Sequence, residues 1–471
     1  MFLLILLFNL ILKVMKKVLL GAAACMLGIA SMNAQIVKDP AVYTPVEGYE
    51  LRNLWIQSEL TNNKQIITDI GESRGMAVLN GELLFCQRGG TSANGNILVY
   101  DGATGAFKKN VALKSNVFTY VQNDTVKILG LPNNDIQIDD AGHVLVANLC
   151  TNATAGYFQV WNINLTDGSG TKVLDCLLPD ITATIRFDAF GVYGDVTGDG
   201  YLMAAVSGTE VGVGDQVLRW DIKGGVVNSA NPTFISIQGY YPATATSNGT
   251  APRVCPLDND LFYLDGFNGA ASLYDMNGVV VDDFSKATDC APLNVGNNGV
   301  DEFKINGKNF VTYVYSNNTV TPFQAWNLCE LGEGMQFTGM KKYFTYPAAG
   351  LGTASNAVRT ALPRIEVNAA KTVATLYVYA YKSGVAAYKF GLASDLGTGI
   401  KETTANTSLK IVTTAKGIEL SEAANVEVFN FVGQKIAAKA NASNVALAPG
   451  VYIVKAITAE GGVVTSKVSV K

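Results

Sequence analysis

The chain has 471 residues, 35 basic and 39 acidic side chains, a formal net charge of −4 and only 16% charged residues. That length admits one large domain plus at least one small one, and an acidic chain with no basic run argues against nucleic acid or anionic lipid as a partner. With 47 Gly, 13 Pro, 20 Tyr and 20 Phe, the composition suits short strands joined by tight turns, so the expected class is all-β.

Residues 1–34 hold two apolar runs separated by Lys13, Lys16 and Lys17. From Met15 the order is a basic start, an apolar stretch from Val18 to Ala30, and a small residue at Ala34 before Gln35, which is the grammar of a cleavable secretory signal. An uncleaved anchor would have to carry those lysines in lipid at considerable cost. A lipoprotein signal ending at Cys25 lacks the leucine such signals usually carry. Cleavage would remove three lysines and no acids, leaving 32 basic against 39 acidic residues, about −7, in an exported chain with no mature transmembrane segment. Residues 35–50 read as an N-terminal linker. Six cysteines remain, Cys86, Cys150, Cys176, Cys255, Cys290 and Cys329. Without a CxxC they give no zinc or thioredoxin signature and read as small buried strand residues with at most one or two bridges.

From residue 51 to 395 the chain repeats itself. Six short strands end alike: "ILVYD" (97–101), "FQVWN" (158–162), "VLRWD" (217–221), "ASLYD" (271–275), "FQAWN" (323–327) and "VAAYK" (385–389). Their aromatics, Tyr100, Trp161, Trp220, Tyr274, Trp326 and Tyr388, are spaced by 61, 59, 54, 52 and 62 residues. Upstream of each lie an alternating strand, a turn and a more apolar strand, and a fourth strand follows the aromatic one in the first five units. Four antiparallel strands repeated at this length are the blade of a β-propeller, because a lone four-stranded sheet cannot cover both its apolar faces and a closed ring of them can. The expectation is six blades. The sixth unit lacks a fourth strand, and "LRNLWIQSEL" (51–60) is expected to supply it and close the ring. The segment resembles secreted, uncharacterised propeller families of Bacteroidetes, a likeness that carries no catalytic residue with it.

In this topology the loop entering each first strand and the loop between the second and third strands share one face. That face would gather Arg74, Asp135, Arg186, Asp188, Arg253, Asp301, Glu302, Arg359 and Arg364, with Arg88 and Glu210 from longer loops. Arginine holds a carboxylate or sugar hydroxyls with a planar fork, and paired acids can do general acid and base work. The same residues can also pair with one another and orient the blades. The loops there, such as "QRGGTSANGN" and "SNNTVTP", are rich in Gly, Asn and Thr and can present amides and hydroxyls to a ligand or act as plain connectors. The first of them lacks the Lys and Ser/Thr of a phosphate loop.

The single histidine, His143, follows the turn "DDAG" at the opposite end. Multi-histidine zinc or haem sites are therefore excluded, and a catalytic role for His143 is not expected. At the same end "GDVTGDGYLM" (194–203) offers Asp195, Thr197 and Asp199 at alternating positions, as in a calcium loop, but Met203 and Val206 stand where acidic ligands belong. It fills the slot of a first hairpin turn. No cofactor is expected, with calcium at these three residues as the one candidate ion.

A Thr-rich linker spans 396–408, and residues 409–471 carry short alternating strands. The Val426, Val428 alternation before "NFVGQKI", the "LAPGVYIV" containing Gly450, Tyr452 and Ile453, and a final strand ending at Lys471 together resemble the C-terminal sorting domain of the Bacteroidetes type IX secretion system. The resemblance implies a small immunoglobulin-like β-sandwich, the outer-membrane secretion machinery as partner, and a cell-surface, extracellular or periplasmic location. The expected function is a non-catalytic propeller that binds an extracellular glycan or protein. The alternatives are a propeller hydrolase or lyase acting on polysaccharide through the channel-face acids and arginines, and a structural surface scaffold.

Overall fold

Each alternating strand that opens a repeat unit becomes the inner strand of an antiparallel sheet. The computed structural model describes residues 37–89, 94–208, 212–257, 260–397, 409–430, 434–458 and 463–470; the segment expected to be a signal, Glu210 and residues 398–408 of the expected linker lie outside these. The chain divides into two units, one ending at Leu392 and the other beginning at Ala393.

The first unit is a six-bladed β-propeller. Blade one comprises Gly75–Leu79, Glu82–Gln87, Asn96–Asp101 and Phe107–Ala112; blade two, Asp135–Ile138, Val144–Ala147, Phe158–Ile163 and Gly170–Cys176. Blade three has Gly191–Gly194, Gly200–Ala205 and Gln216–Lys223, with both Val226–Val227 and Thr233–Ser236 on its outer edge. Blade four runs through Arg253–Pro256, Leu261–Gly266, Gly269–Asp275 and Val280–Asp282, and blade five through Val300–Ile305, Lys308–Ser316, Ala325–Glu330 and Lys341–Tyr346. Blade six takes Ala361–Val367, Val373–Ala380 and Gly384–Leu392, and its outer strand is Tyr49–Ser58 from the start of the propeller, paired antiparallel to Gly384–Leu392. The inner strands contact one another in sequence and the sixth returns to the first, which closes the ring. Gly75 and Gly299 permit that close approach, since a Cβ there would come within 2.8 Å of Ile136 N and 1.9 Å of Ala361 O respectively.

The repeated aromatics sit in the seams between blades. All six are at most 5% exposed, and each such side chain contributes roughly 2–3 kcal/mol of burial. Their polar tips are mostly satisfied, as when Tyr274 donates to Gly239 O at 2.8 Å and Trp161 to Gln159 Oε1 at 3.0 Å. The pairing register with the outer strand breaks at Tyr100, Trp161 and Tyr274, so the bulge that twists the blade edge falls at the repeat signature itself.

Residues 37–48, read above as a linker, are instead packed on blade six. Val37, Tyr43 and Val46 lie against its core, and Asp39 accepts from Tyr43 at 2.6 Å and Tyr388 at 3.0 Å. A short helix, Gln65–Ile70, leads into blade one and buries Ile66 and Ile70. Among the described residues no helix is long and apolar enough to cross a membrane.

Among its described residues the second unit has five strands, Ile411–Thr414, Gly417–Asn430, Lys435–Ala446, Gly450–Ile457 and Val463–Val470. The pairing of the long second and third strands breaks between Glu419 and Ala424. One hydrogen-bonded sheet thereby folds over on itself, enclosing Leu409, Ile418, Leu420, Val426, Val428, Val454 and Val468. The small sandwich is thus a single bent sheet rather than two separate ones.

Candidate binding site at the channel mouth

The six inner strands surround a cavity of about 310 Å³ lined by residues from every blade, among them Val78, Gln137, Val192, Arg253, Asp301 and Arg364. The loops that enter the inner strands and the loops between second and third strands meet at one end of it. Arg359, entering blade six, lies 3.9 Å over the ring of Phe267 from the second-to-third-strand turn of blade four.

At this mouth Asp188, only 5% exposed at its side chain, accepts both forks of Arg186 at 2.8 and 2.7 Å. Arg74 reaches the same carboxylate only at 3.7 Å, and its buried Nε has no hydrogen-bond partner. Arg88 leans on the exposed Glu72 at 3.7 Å, and Lys382 shares that acid at 3.2 Å. Burial first, and the neighbouring Arg88 guanidinium next, push Arg74 below the usual arginine range, whereas the bond to Asp188 raises Arg186.

Deeper in the wall Arg253 donates to Asp135 at 3.0 Å and to Arg74 O at 2.7 Å, joining blades four, two and one. Asp135 also accepts from Phe190 N and from Gln137 Nε2, each at 3.2 Å. Arg364 gives its Nε to Met76 O and an Nη to Pro363 O, both at 2.8 Å. Asp301 faces the cavity beside Cys255 and accepts Glu302 N at 3.0 Å; burial holds its carboxyl up at about 6. Glu302, its neighbour on the inner strand of blade five, is half-buried.

Of the residues singled out from sequence, the structure therefore brings Arg74, Arg88, Arg186 and Asp188 together at the mouth and Asp135, Arg253, Asp301 and Arg364 in the wall, while Arg359 stands apart on Phe267. Sequence reading missed Asp265, at the end of the second strand of blade four, which lies opposite Arg253 and accepts Gly299 N at 2.8 Å. Burial pushes its carboxyl up to about 7. Its place beside a turn glycine in "YLDG" made it look like an ordinary turn residue.

The asparagines of the loops are largely committed to the backbone. Asn133 forks onto Gln87 O and Asn96 O, and Asn248 onto Val206 O and Gln216 O, each clamping the loop base of the preceding blade. Asn298 bridges to Thr250 O and Ala251 O. Their NH2 groups are structural ties rather than donors held out to a ligand, although the buried Oδ1 atoms of Asn133 and Asn298 are left without a partner.

At the opposite end the proposed calcium residues spend their oxygens on different partners. Asp195 Oδ1 accepts Thr197 N at 2.7 Å and Thr197 Oγ1 at 2.8 Å, while Asp199 accepts Gly224 N at 2.9 Å and Lys223 Nζ at 3.3 Å. The cluster of ligand type among the described residues is instead Asp139, His143 and Asp195, whose ligand atoms lie within 4.8 Å of one another. Asp139 is already saturated there by His143 N, Ala141 N, Val196 N and His143 Nδ1 at 2.7 to 3.1 Å. This turn therefore ties blade two to blade three, with Asp139, Asp195 Oδ1 and Asp199 already accepting from N–H and O–H groups. His143 serves that tie, far from the mouth.

All six cysteines among the described residues are free thiols, five of them buried. Burial raises most of them, Cys86, Cys150 and Cys176 to about 12, but the Cys329 thiol hydrogen-bonded to Cys290 brings Cys290 down to about 7.

Six closed blades with a charged mouth define the chain as a β-propeller protein. It is similar in fold to a DUF4623 family protein from Bacteroides eggerthii, with a TM-score of 0.51 and 14% identity over 74% of this chain and 77% of that one. Fainter likenesses reach a Trypanosoma rangeli sialidase in complex with sialic acid (TM-score 0.35, 10% identity, 84% of this chain and 83% of that one) and BamB from Moraxella catarrhalis (0.31, 13%, 67% and 84%). At these identities the likeness concerns fold alone. No family model matches the chain, and no curated protein does.

Proposed function

We propose that this is an exported, non-catalytic binding protein whose channel-mouth face holds an extracellular glycan or protein. The observation that carries the reading is the commitment of the acids. Asp135 is locked to Arg253 and Asp188 to Arg186, so two of the acids expected to do glycoside chemistry are committed to arginines, while guanidinium and aromatic groups remain at the mouth. The N-terminal signal grammar and the sorting-like C-terminal unit support delivery to or through the outer membrane. The full chain incubated on an array of extracellular glycans is expected to bind without releasing reducing ends. Failure to bind any saccharide would overturn the glycan reading.

One observation favours the hydrolase alternative. Asp301 faces the cavity with its carboxyl raised to about 6, as a general acid would need. Release of reducing ends from a polysaccharide, abolished by Asp301→Asn, would establish it in place of the binding reading.

A further inference from the structure

We infer that the channel mouth is an oxyanion site, and that Arg74 is the residue which reads the carboxylate or sulfate group of an acidic saccharide. The inference deepens the binding reading above and rests on it. Four cations, Arg74, Arg88, Arg186 and Lys382, gather around two acids, Asp188 and Glu72, a surplus of two positive charges in a chain whose net charge is −4. Arg186 consumes Asp188 with both forks, and Glu72 lies on the exposed rim. Arg74 is left with a contact at 3.7 Å and a buried Nε without a partner, although only 17% of its side chain is exposed. A desolvated guanidinium that has lost water and gained no full partner is costly. The oxygens of a carboxylate or sulfate group can supply the acceptor that its Nε lacks and replace the long contact to Asp188.

The position suits a ligand rather than a structural pair. Arg74 precedes the first inner strand, its carbonyl is fixed by Arg253 at 2.7 Å, and Ser73, next to it, accepts Tyr379 through its own carbonyl at 2.7 Å. The backbone is thus held on both sides while the side-chain head stays under-bonded, which is preorganisation for an incoming anion. A neutral saccharide would leave Arg74 and the surplus charge as they are.

Isothermal titration of the full chain tests this with tetragalacturonate, a sulfated carrageenan-type tetrasaccharide that carries no carboxylate, and neutral cellotetraose. At least one acidic probe is expected to bind about tenfold or more tightly than cellotetraose, and to weaken as salt is raised. The two acidic arms distinguish carboxylate from sulfate. Arg74→Gln should cost the acidic probe about tenfold or more and Arg74→Lys clearly less; Arg88→Gln, at the periphery, should cost about threefold and serves if the first variant does not fold. Equal binding of acidic and neutral probes, or unchanged acidic binding by a folded Arg74→Gln, would overturn the inference and leave the binding reading standing. A blank result with all three probes and on the array would remove both this inference and the glycan form of the binding reading.

Discussion

Tyr388, the last aromatic of the repeat, donates its hydroxyl to Asp39 at 3.0 Å across 349 residues of sequence. Asp39 also accepts Tyr43 Oη and Ala41 N, so one carboxylate near the start of the described chain organises the seam that closes the ring. Asp39→Ala would leave the buried Tyr388 hydroxyl without its acceptor and free the segment 37–48. The expected loss is about 2–4 kcal/mol, read as a lower urea midpoint at unchanged slope. An unchanged midpoint would mean the segment contributes nothing to closure.

Asp265 predicts a pH dependence. Its carboxyl is held up at about 7 by burial, against an ordinary value of 3.8. Between those two values the folded chain keeps a proton that the unfolded chain has lost, so this group's contribution to stability falls as pH rises from about 4 to 7. Asp265→Asn retains an acceptor for Gly299 N and removes the titration. Relative to that variant, the native chain should lose on the order of 2–4 kcal/mol between pH 4 and pH 8 in urea unfolding. Parallel pH profiles for the two proteins would refute the assignment.

Cys290 should be the first thiol to react. Its sulfur is brought to about 7 by the Cys329 hydrogen bond, with Lys342 assisting, while burial raises the other five. Iodoacetamide labelling of the native chain, followed by peptide mapping, should modify Cys290 ahead of the rest, with a rate that climbs through about pH 7. Because Cys290 is only 3% exposed, labelling will be slow and limited by local opening. Labelling that starts at Cys86 or Cys255 would contradict this order.

Millimolar calcium should leave the thermal midpoint where EDTA leaves it, since Asp195 Oδ1 and both Asp199 oxygens already accept N–H and O–H donors. Asp199→Asn is expected to leave the thermal midpoint nearly unchanged, as its partners are exposed. A calcium-dependent rise in midpoint that vanishes in Asp195→Asn would reinstate the metal.

Much of the propeller was legible because its signals are local and recur. Tyr100 to Tyr388 mark the third strand of each blade, the turns between first and second strands align, and the missing sixth outer strand pointed to residues 51–60, which the structure uses as Tyr49–Ser58. Residues 37–48 escaped because they form no periodic strand and are held by single contacts such as that of Asp39. The loop asparagines were ambiguous for a related reason. An Asn that clamps a neighbouring blade and one that waits for a sugar have the same one-letter code, and only the backbone carbonyls beside Asn133 and Asn248 tell them apart.

The sequence by itself determined the blade number, their order and the closure of the ring, because alternation and a repeated buried aromatic act within each unit. Tertiary structure alone decided how the charges are spent. Arg253 meets Asp135 across 118 residues and the Arg74 carbonyl across 179, and Arg364 meets Met76 across 288. Residues so far apart become neighbours only when the ring closes, and the geometry of closure leaves Arg74 with a buried Nε that has no partner.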